Sequence, residues 1–238
     1  MFLDYLHTSF TYLIFPALGF FVLILLSLVS LLRGRKNPTN ILFAAICLIG
    51  ALVNADMVLV VVIPDEAQAL VVEKVLHFFF VFTLPVYIQF IHTFLGIAGR
   101  TWLVYIAALL SLVLAYLVPS DLFISGFHYY DFGRIAKAGP AYDIFAVLSG
   151  VMVLYSLIVL FVAMRKASDN QQKTRIKYIL WGMGLSAVLI ASNILTICGL
   201  RVHPMGSFSV IPAVVLAYGV LKYPALAACL SGNDCPFV

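Results

Sequence analysis

Charged side chains are scarce in this sequence of 238 residues, of which only 10% are Asp, Glu, Lys or Arg. Hydrophobic residues make up 64%, and the mean hydropathy is +1.11. A soluble domain of this length could not bury so much apolar surface, so lipid is expected to surround much of the chain. The composition excludes an ordinary soluble protein. The net charge of +4 is ascribed to basic loops near lipid, and nucleic acid is not an expected partner.

Several chemical signatures are also absent. The four cysteines, Cys47, Cys198, Cys229 and Cys235, have no metal-ligand spacing and indicate no disulfide framework. The sequence contains no nucleotide-binding loop, nucleophile elbow or kinase motif. The last apolar segment carries Lys only at its end, at Lys222, which argues against a retinal Schiff base. The sequence therefore predicts no enzyme activity, no cofactor and no metal site.

The apolar runs are each about 18 to 25 residues long, which is the length of a helix that crosses a bilayer. They do not alternate as barrel strands would, and in hydrocarbon only helices or closed barrels satisfy the backbone. The predicted fold is therefore all-α, one seven-helix membrane domain over 1–238 with a short tail at 223–238. The helices are expected at about 9–32, 41–63, 70–95, 101–118, 141–164, 176–198 and 204–222.

Basic residues fall in alternate loops of this layout. Ten lie on one side, namely Arg33, Arg35, Lys36, Arg100, Arg165, Lys166, Lys173, Arg175, Lys177 and Lys222. The other side has three, Arg134, Lys137 and Arg201. Because loops rich in Lys and Arg stay in the cytoplasm, this asymmetry predicts an outside N-terminus and a cytoplasmic C-terminus. A bacterial cytoplasmic (inner) membrane is the expected location.

One loop on the predicted outer face, at about 120–139, has a sequence pattern that predicts structure within the loop. Its residues 124–133 read Ile-Ser-Gly-Phe-His-Tyr-Tyr-Asp-Phe-Gly, an aromatic and partly alternating stretch between glycines. This pattern predicts a small extracytoplasmic hairpin. Two interpretations stay open: the hairpin is a lid over a pocket, or its aromatic residues form a belt at the membrane interface.

Polar residues inside the predicted helices are the candidate functional residues, because such groups are costly in a membrane. Asp56 and His77 are each expected about 10 Å below the outer end of adjacent helices, and Glu73 lies one turn from His77. The candidate ligand-binding residues are Asn54, Asp56, Glu73, Lys74, His77, Tyr142, Asp143 and Asn193. The alternative is that they only hold helices together, with Asp56 paired to Lys74.

Four short segments carry a family resemblance. They are Leu-His-Phe-Phe-Phe-Val-Phe-Thr-Leu-Pro-Val-Tyr-Ile-Gln-Phe (76–90), Gly-Pro-Ala-Tyr (139–142), Gln-Gln-Lys-Thr-Arg-Ile-Lys-Tyr-Ile-Leu (171–180) and Ala-Tyr-Gly-Val-Leu-Lys-Tyr (217–223). In these the chain resembles the N-terminal seven-helix sensor region of bacterial membrane histidine kinases and diguanylate cyclases. The resemblance implies an input module that controls a cytoplasmic output. In that family an output domain normally follows, so we expect either a stand-alone bundle or a fragment of a longer protein.

The predicted function is signal sensing without catalysis. A small molecule or lipid is expected to bind in an outer-half cavity and to change what the chain presents to a cytoplasmic signalling partner. The residues expected to face that partner are Arg165, Lys166, Lys173, Arg175, Lys177 and Lys222. Besides the lipid bilayer, a second copy of the chain and other membrane subunits are considered as partners. The alternatives are an accessory subunit of a larger membrane complex and a small transporter that uses Asp56 and Lys74 as a relay.

Overall fold

The computed structural model describes residues 2–97 and 99–222, with side chains from Tyr12 onwards. The tail predicted at 223–238 lies outside the described residues. The helices are α1 (Phe2–Arg33), α2 (Pro38–Val62), α3 (Glu66–Phe80), α4 (Thr83–Leu95), α5 (Thr101–Leu117), α6 (Pro140–Lys166), α7 (Asn170–Ile197) and α8 (Val210–Leu221). Two strands, β1 (Ile124–Tyr130) and β2 (Gly133–Ala138), lie between α5 and α6, and a 3₁₀ turn (Met205–Phe208) precedes α8.

Among the described residues, five segments are long and apolar enough to cross a membrane. They are Tyr12–Arg33, Pro38–Val62, Glu66–Leu95, Pro140–Lys166 and Asn170–Ile197. Two further apolar segments, Thr101–Leu117 and Met205–Leu221, are shorter. The helical membrane architecture predicted from the sequence is therefore present, and a count of seven spanning helices stays a prediction.

The helix predicted over 70–95 is interrupted, because α3 ends at Phe80 and α4 begins at Thr83. Pro85 has no N–H, so it cannot pair with the carbonyl of Val81 one turn earlier. Ser111 of α5 pairs with that carbonyl instead, and its Oγ donates to the Val81 oxygen at 2.7 Å. Ser111 and Val81 are both fully buried. A proline and a serine on a neighbouring helix thus produce a defined break inside the Glu66–Leu95 span.

The helix predicted over 204–222 is also divided. Its first turn is the 3₁₀ turn at Met205–Phe208, and α8 starts only at Val210. Pro212 therefore lies in the first turn of α8, where a backbone N–H has no partner within the helix. Pro212 therefore removes no hydrogen bond from within α8, and it does not kink the helix.

The hairpin predicted at about 120–139 is present as the antiparallel pair β1–β2, which turns at Asp131 and Phe132. The Arg134 guanidinium donates hydrogen bonds to the carbonyls of Val60 and Ile63 at the end of α2. The Tyr130 hydroxyl donates to the carbonyl of Thr196 at the end of α7, at 3.0 Å. The hairpin therefore joins α2 and α7, and we call this side of the bundle the hairpin end.

The opposite side of the bundle, the basic end, joins α1, α7 and α8. Arg33 Nη1 donates to the carbonyl of Leu221 at 3.4 Å, and Arg175 Nε donates to the carbonyl of Gly219 at 3.2 Å. The ten basic residues that the sequence groups on one side lie at the ends of α1 and α6, in the first two turns of α7, directly after α8, and in the α1–α2 and α4–α5 connections. The two ends of the bundle thus differ in charge.

Candidate functional site

A cavity of about 340 Å³ lies inside the bundle. Its walls come from α1 to α4, α6 to α8 and strand β2, and most of the lining side chains are apolar. It extends from Arg134 at the hairpin end to Phe43 and Leu216, which belong to the core towards the basic end. A mostly apolar pocket of this size with a few polar groups is typical of a small-molecule site.

The main polar feature of the cavity is a group of three buried side chains, Asp56 of α2 and Glu73 and His77 of α3. We call it the acid–histidine cluster. One potential ligand atom of each residue lies within 4.8 Å of the other two. Asp56 is 7% exposed, Glu73 2% and His77 3%. Asp56 Oδ1 and Glu73 Oε2 have no hydrogen-bond partner among the described residues. Two carboxyl groups are therefore buried in the bundle with unused acceptor oxygens.

Local helix geometry explains why these residues meet. Asp65 caps α3, since its Oδ1 accepts a hydrogen bond from the backbone N–H of Gln68 at 2.7 Å. In the helix that follows, Glu73 and His77 are four residues apart and so share one face. His77 Nδ1 lies 3.0 Å from the Glu73 backbone oxygen and 3.4 Å from Oε1. Because a carbonyl can only accept, Nδ1 carries the hydrogen and the imidazole orientation is fixed.

Aromatic rings surround the histidine on its other sides. The His77 ring centroid lies 4.7 Å from that of Phe80, 6.0 Å from Phe123 and 5.9 Å from Tyr142. Tyr142 is itself buried and lines the cavity. These contacts exclude water from one side of the cluster and leave the cavity as its open side.

The hairpin closes the cavity at its own end. Arg134, Ile135 and Ala136 of β2 are lining residues, and Arg134 and Ala136 are buried. The Arg134 guanidinium also lies over the Phe127 ring of β1, 5.2 Å from its centroid. This arrangement matches the lid interpretation of the hairpin better than an aromatic belt alone.

Two predicted ligand residues lie elsewhere, which corrects the sequence prediction. Lys74 Nζ contacts Asp121 Oδ1 at 2.8 Å and the Pro119 carbonyl at 3.2 Å, on the outside of the bundle. It therefore does not pair with Asp56, and the transporter alternative loses its relay. Asp143 is exposed and accepts a hydrogen bond from Cys198 Sγ at 3.6 Å. Partial burial, and after it the Asp143 carboxylate, raises the pKa of Cys198.

Two predicted asparagines mainly join helices. Asn54 is fully buried, and its Nδ2 donates to Gly50 O at 2.8 Å and to Ser209 Oγ at 2.9 Å. Asn193 lines the cavity, but its Oδ1 accepts from the backbone N–H of Gly206 at 2.9 Å. A Cβ at position 206 would lie 2.1 Å from Asn193 Nδ2, so only glycine allows this approach. For these two residues the interhelical alternative fits better than a ligand contact.

Of the residues predicted to face a cytoplasmic partner, most are exposed and one is buried. Those exposed at the basic end are Arg165, Lys166, Lys173, Lys177 and Lys222. Arg175 is only 6% exposed, and its guanidinium lies over the Phe94 ring, 4.7 Å from the centroid. Arg175 was predicted to face the partner, but α8 and the end of α4 cover it in this structure.

A comparison with protein families identifies the chain. The family model described as the N-terminal 7TM region of histidine kinase matches residues 12–227. The chain belongs to this family. The resemblance inferred from the four short segments is thus confirmed, and the family is a membrane sensor region of histidine kinases. No curated protein sequence matches the chain.

No pattern in the sequence directly placed Arg134 at the cavity of this sensor region. Its position in the hairpin did hold a usable signal, because Arg134 and Ala136 are two residues apart in β2 and so share one face of the strand. Arginine is also rare on the side predicted to be outside. Tyr12 of α1 and Ser149 of α6, two further polar lining residues, carried no comparable signal.

Proposed function

We propose that the chain is a sensing module that binds a small molecule or lipid in the cavity and passes a conformational change to a cytoplasmic partner. The observation that carries this proposal is the cavity of about 340 Å³ with the acid–histidine cluster in its wall. A bundle whose polar residues served only for packing would have no reason to leave this volume beside two buried carboxyl groups.

The distribution of polarity in the cavity favours an elongated amphiphile. Asp56, Glu73, His77 and Arg134 provide polar atoms near the hairpin end. Towards the basic end the walls are apolar, with Phe43 and Leu216 among them. A ligand with one polar group and an apolar body would match both regions, since buried apolar area supplies most of the binding free energy and polar groups fix orientation.

An opening between α6 and α7 offers a route for such a ligand. Gly150 of α6 and Ile190 and Ala191 of α7 line the cavity, and all three are also exposed. In a bilayer this side faces lipid rather than water. A lipid or a membrane-dissolved molecule would therefore enter sideways, without lifting the hairpin.

Two structural features favour transmission to the basic end. The break between α3 and α4 lies between the acid–histidine cluster and the part of the cavity nearer the basic end. A helix can bend at such a break. Helix α7 contacts the hairpin through the Thr196 carbonyl and α8 through Arg175. A ligand with different affinities for two arrangements of these helices would shift their populations, which is the requirement for a signal.

The charge of the basic end supports its assignment to the cytoplasm. The positive-inside rule then orients the hairpin end outwards, and the inner membrane of a bacterium is the proposed location. Arg165, Lys166, Lys173 and Lys177 are exposed there and available to an acidic surface of a signalling partner.

Ligand binding is tested by filling the cavity. The chain is extracted with its surrounding native lipid, and the molecules that stay with it are identified by mass spectrometry. A Cβ at Gly150 would meet no atom within 4 Å, and the same holds for Gly184 of α7, which does not line the cavity. Gly150→Leu is therefore the test variant and Gly184→Leu its matched control.

We expect one enriched molecule in the wild-type chain and in Gly184→Leu, and its loss in Gly150→Leu. Equal retention in both variants, or no enriched molecule in any of the three, would argue for packing alone. The accessory-subunit alternative would then be preferred.

A further inference from the structure

We propose that Asp56, Glu73 and His77 form a binding site for one divalent transition-metal ion. This assignment rests first on geometry, since one ligand atom from each residue lies within 4.8 Å of the others. Ligands of a tetrahedral ion, bound at about 2.0 to 2.2 Å, are roughly 3.5 Å apart. Reaching this spacing requires side-chain rotations of Asp56 and Glu73.

The second observation is the state of the two carboxyl groups. Asp56 Oδ1 and Glu73 Oε2 are buried without a partner among the described residues, and both residues are more than nine-tenths buried. Unpaired oxygens of this kind are unfavourable inside a membrane bundle. A bound cation would satisfy both oxygens and would balance negative charge on the two carboxyl groups.

The imidazole is arranged as metal-binding histidines usually are. His77 Nδ1 donates to the backbone carbonyl of Glu73 at 3.0 Å. This hydrogen bond fixes the tautomer and leaves the lone pair on Nε2, and such a carbonyl partner is the common outer contact of a ligating histidine. Nε2 is therefore the nitrogen that we assign to the metal. Because the nitrogen that lies 3.4 Å from Glu73 Oε1 is Nδ1, this assignment requires the Asp56 and Glu73 carboxylates to turn towards Nε2.

The donor set selects the class of metal. One imidazole nitrogen and two carboxylate oxygens suit Zn²⁺, Mn²⁺ or Fe²⁺, while the lack of a thiolate disfavours Cu⁺. Three protein ligands beside a cavity leave at least one coordination position for water or a ligand group. Arg134 adds one positive charge nearby but donates to the carbonyls of Val60 and Ile63. An anionic group, such as a carboxylate, would complete the charge balance at the open position.

The competing account is a proton held between Asp56 and Glu73, which would neutralise one carboxyl group without any metal. The two accounts differ in a binding measurement. The purified wild-type chain is freed of metal with a chelator, and its binding of Zn²⁺ and Mn²⁺ is measured by equilibrium dialysis. The spectrum of bound Co²⁺ reports the coordination.

Glu73→Gln and His77→Gln each remove one ligand at similar size. Asp131→Asn is the matched control, because Asp131 is exposed in the hairpin turn. We expect one ion per chain in the wild type and in Asp131→Asn, and at least tenfold weaker binding in the two ligand variants. If neither ligand variant folds, nitrogen hyperfine coupling to Mn²⁺ in the wild-type chain replaces them, and its absence would overturn the site.

No binding by the wild-type chain, or binding that is unchanged in Glu73→Gln and His77→Gln, would also overturn the metal site and favour the shared proton. The metal site shares the cavity with the proposed sensing function but does not depend on it. Metal binding without any ligand response would contradict sensing only, and a ligand response in a chain that binds no metal would contradict this inference only.

Discussion

Arg175 and Gly219 join α7 to α8 near the end of the bundle that carries most of the basic residues. Arg175 Nε donates to the Gly219 carbonyl at 3.2 Å, and the guanidinium lies over the Phe94 ring of α4. A second link, from Arg33 to the Leu221 carbonyl, attaches α1 to the same part of α8. A buried arginine thus connects α4, α7 and α8 at the basic end of the bundle.

Replacing this arginine by lysine should loosen the connection. Arg175→Lys keeps the charge but removes the planar group that bonds Gly219 and stacks on Phe94. We expect the free energy of unfolding to fall by about 1 to 3 kcal/mol, measured by thermal or denaturant unfolding in detergent. Arg165→Lys is the control, because Arg165 is exposed over the Phe161 ring. An equal loss in both variants would show that the connection to α8 contributes nothing particular.

The break between α3 and α4 depends on Ser111. Ser111→Ala leaves the Val81 carbonyl buried without its partner, since Pro85 cannot supply an N–H. We expect a loss of about 1 to 3 kcal/mol in the free energy of unfolding. Ser125→Ala is the matched control, because Ser125 is exposed and its contacts are long, at 3.4 and 3.5 Å. A Ser111→Ala variant as stable as Ser125→Ala would contradict this account of the break.

The hairpin should open when Arg134 is changed. Arg134→Gln removes the guanidinium that donates to the carbonyls of Val60 and Ile63, so β2 should cover the cavity less tightly. Cys47 is buried and lines the cavity, and its alkylation by a small maleimide reports access. In a chain whose other cysteines are serine, we expect labelling to speed up several-fold. Arg201→Gln, at an exposed arginine of the same end, should leave the rate unchanged.

The contact between Asp143 and Cys198 predicts a pH effect outside the membrane segments. Partial burial is the first cause that raises the pKa of Cys198, and the Asp143 carboxylate adds to it. Removing that charge in Asp143→Asn lowers the pKa, so more thiolate is present at a given pH and alkylation should shift to lower pH. Because burial remains, the pKa should stay above its ordinary value. An unchanged pH profile, as expected for Asp131→Asn, would place Asp143 away from Cys198.

The sequence was informative where helical geometry alone decides the outcome. Four residues separate Glu73 from His77, which fixes their common face, and counting residues from the helix ends put Asp56 at the same depth. Helical geometry also explains why Lys74 and Asp143, which were predicted to bind the ligand, do not line the cavity. Each follows a cavity residue directly, and one residue turns an α-helix by about 100°, so neither faces the cavity.

Other features could not be read from the sequence because they depend on packing between distant elements. Arg134 enters the cavity only because the hairpin folds over α2, and Arg175 is buried only because α8 and Phe94 cover it. Pro85 accounts for part of the break near Val81, because it has no N–H to donate to the Val81 carbonyl. Its exact partner, Ser111, lies 30 residues away on another helix.

The most direct test of the account measures whether occupancy of the cavity moves the basic end. Spin labels at Lys36 and Lys177, both exposed there, report the distance between the α1–α2 connection and α7. The labelled chain is placed in nanodiscs of defined phosphatidylcholine, with and without added lipid extract from its native membranes. We predict that the extract shifts the distance distribution in the wild-type chain and in Gly184→Leu, and that Gly150→Leu does not respond. Distributions that are identical with and without the extract, or a shift that persists in Gly150→Leu, would contradict signal transfer from the cavity.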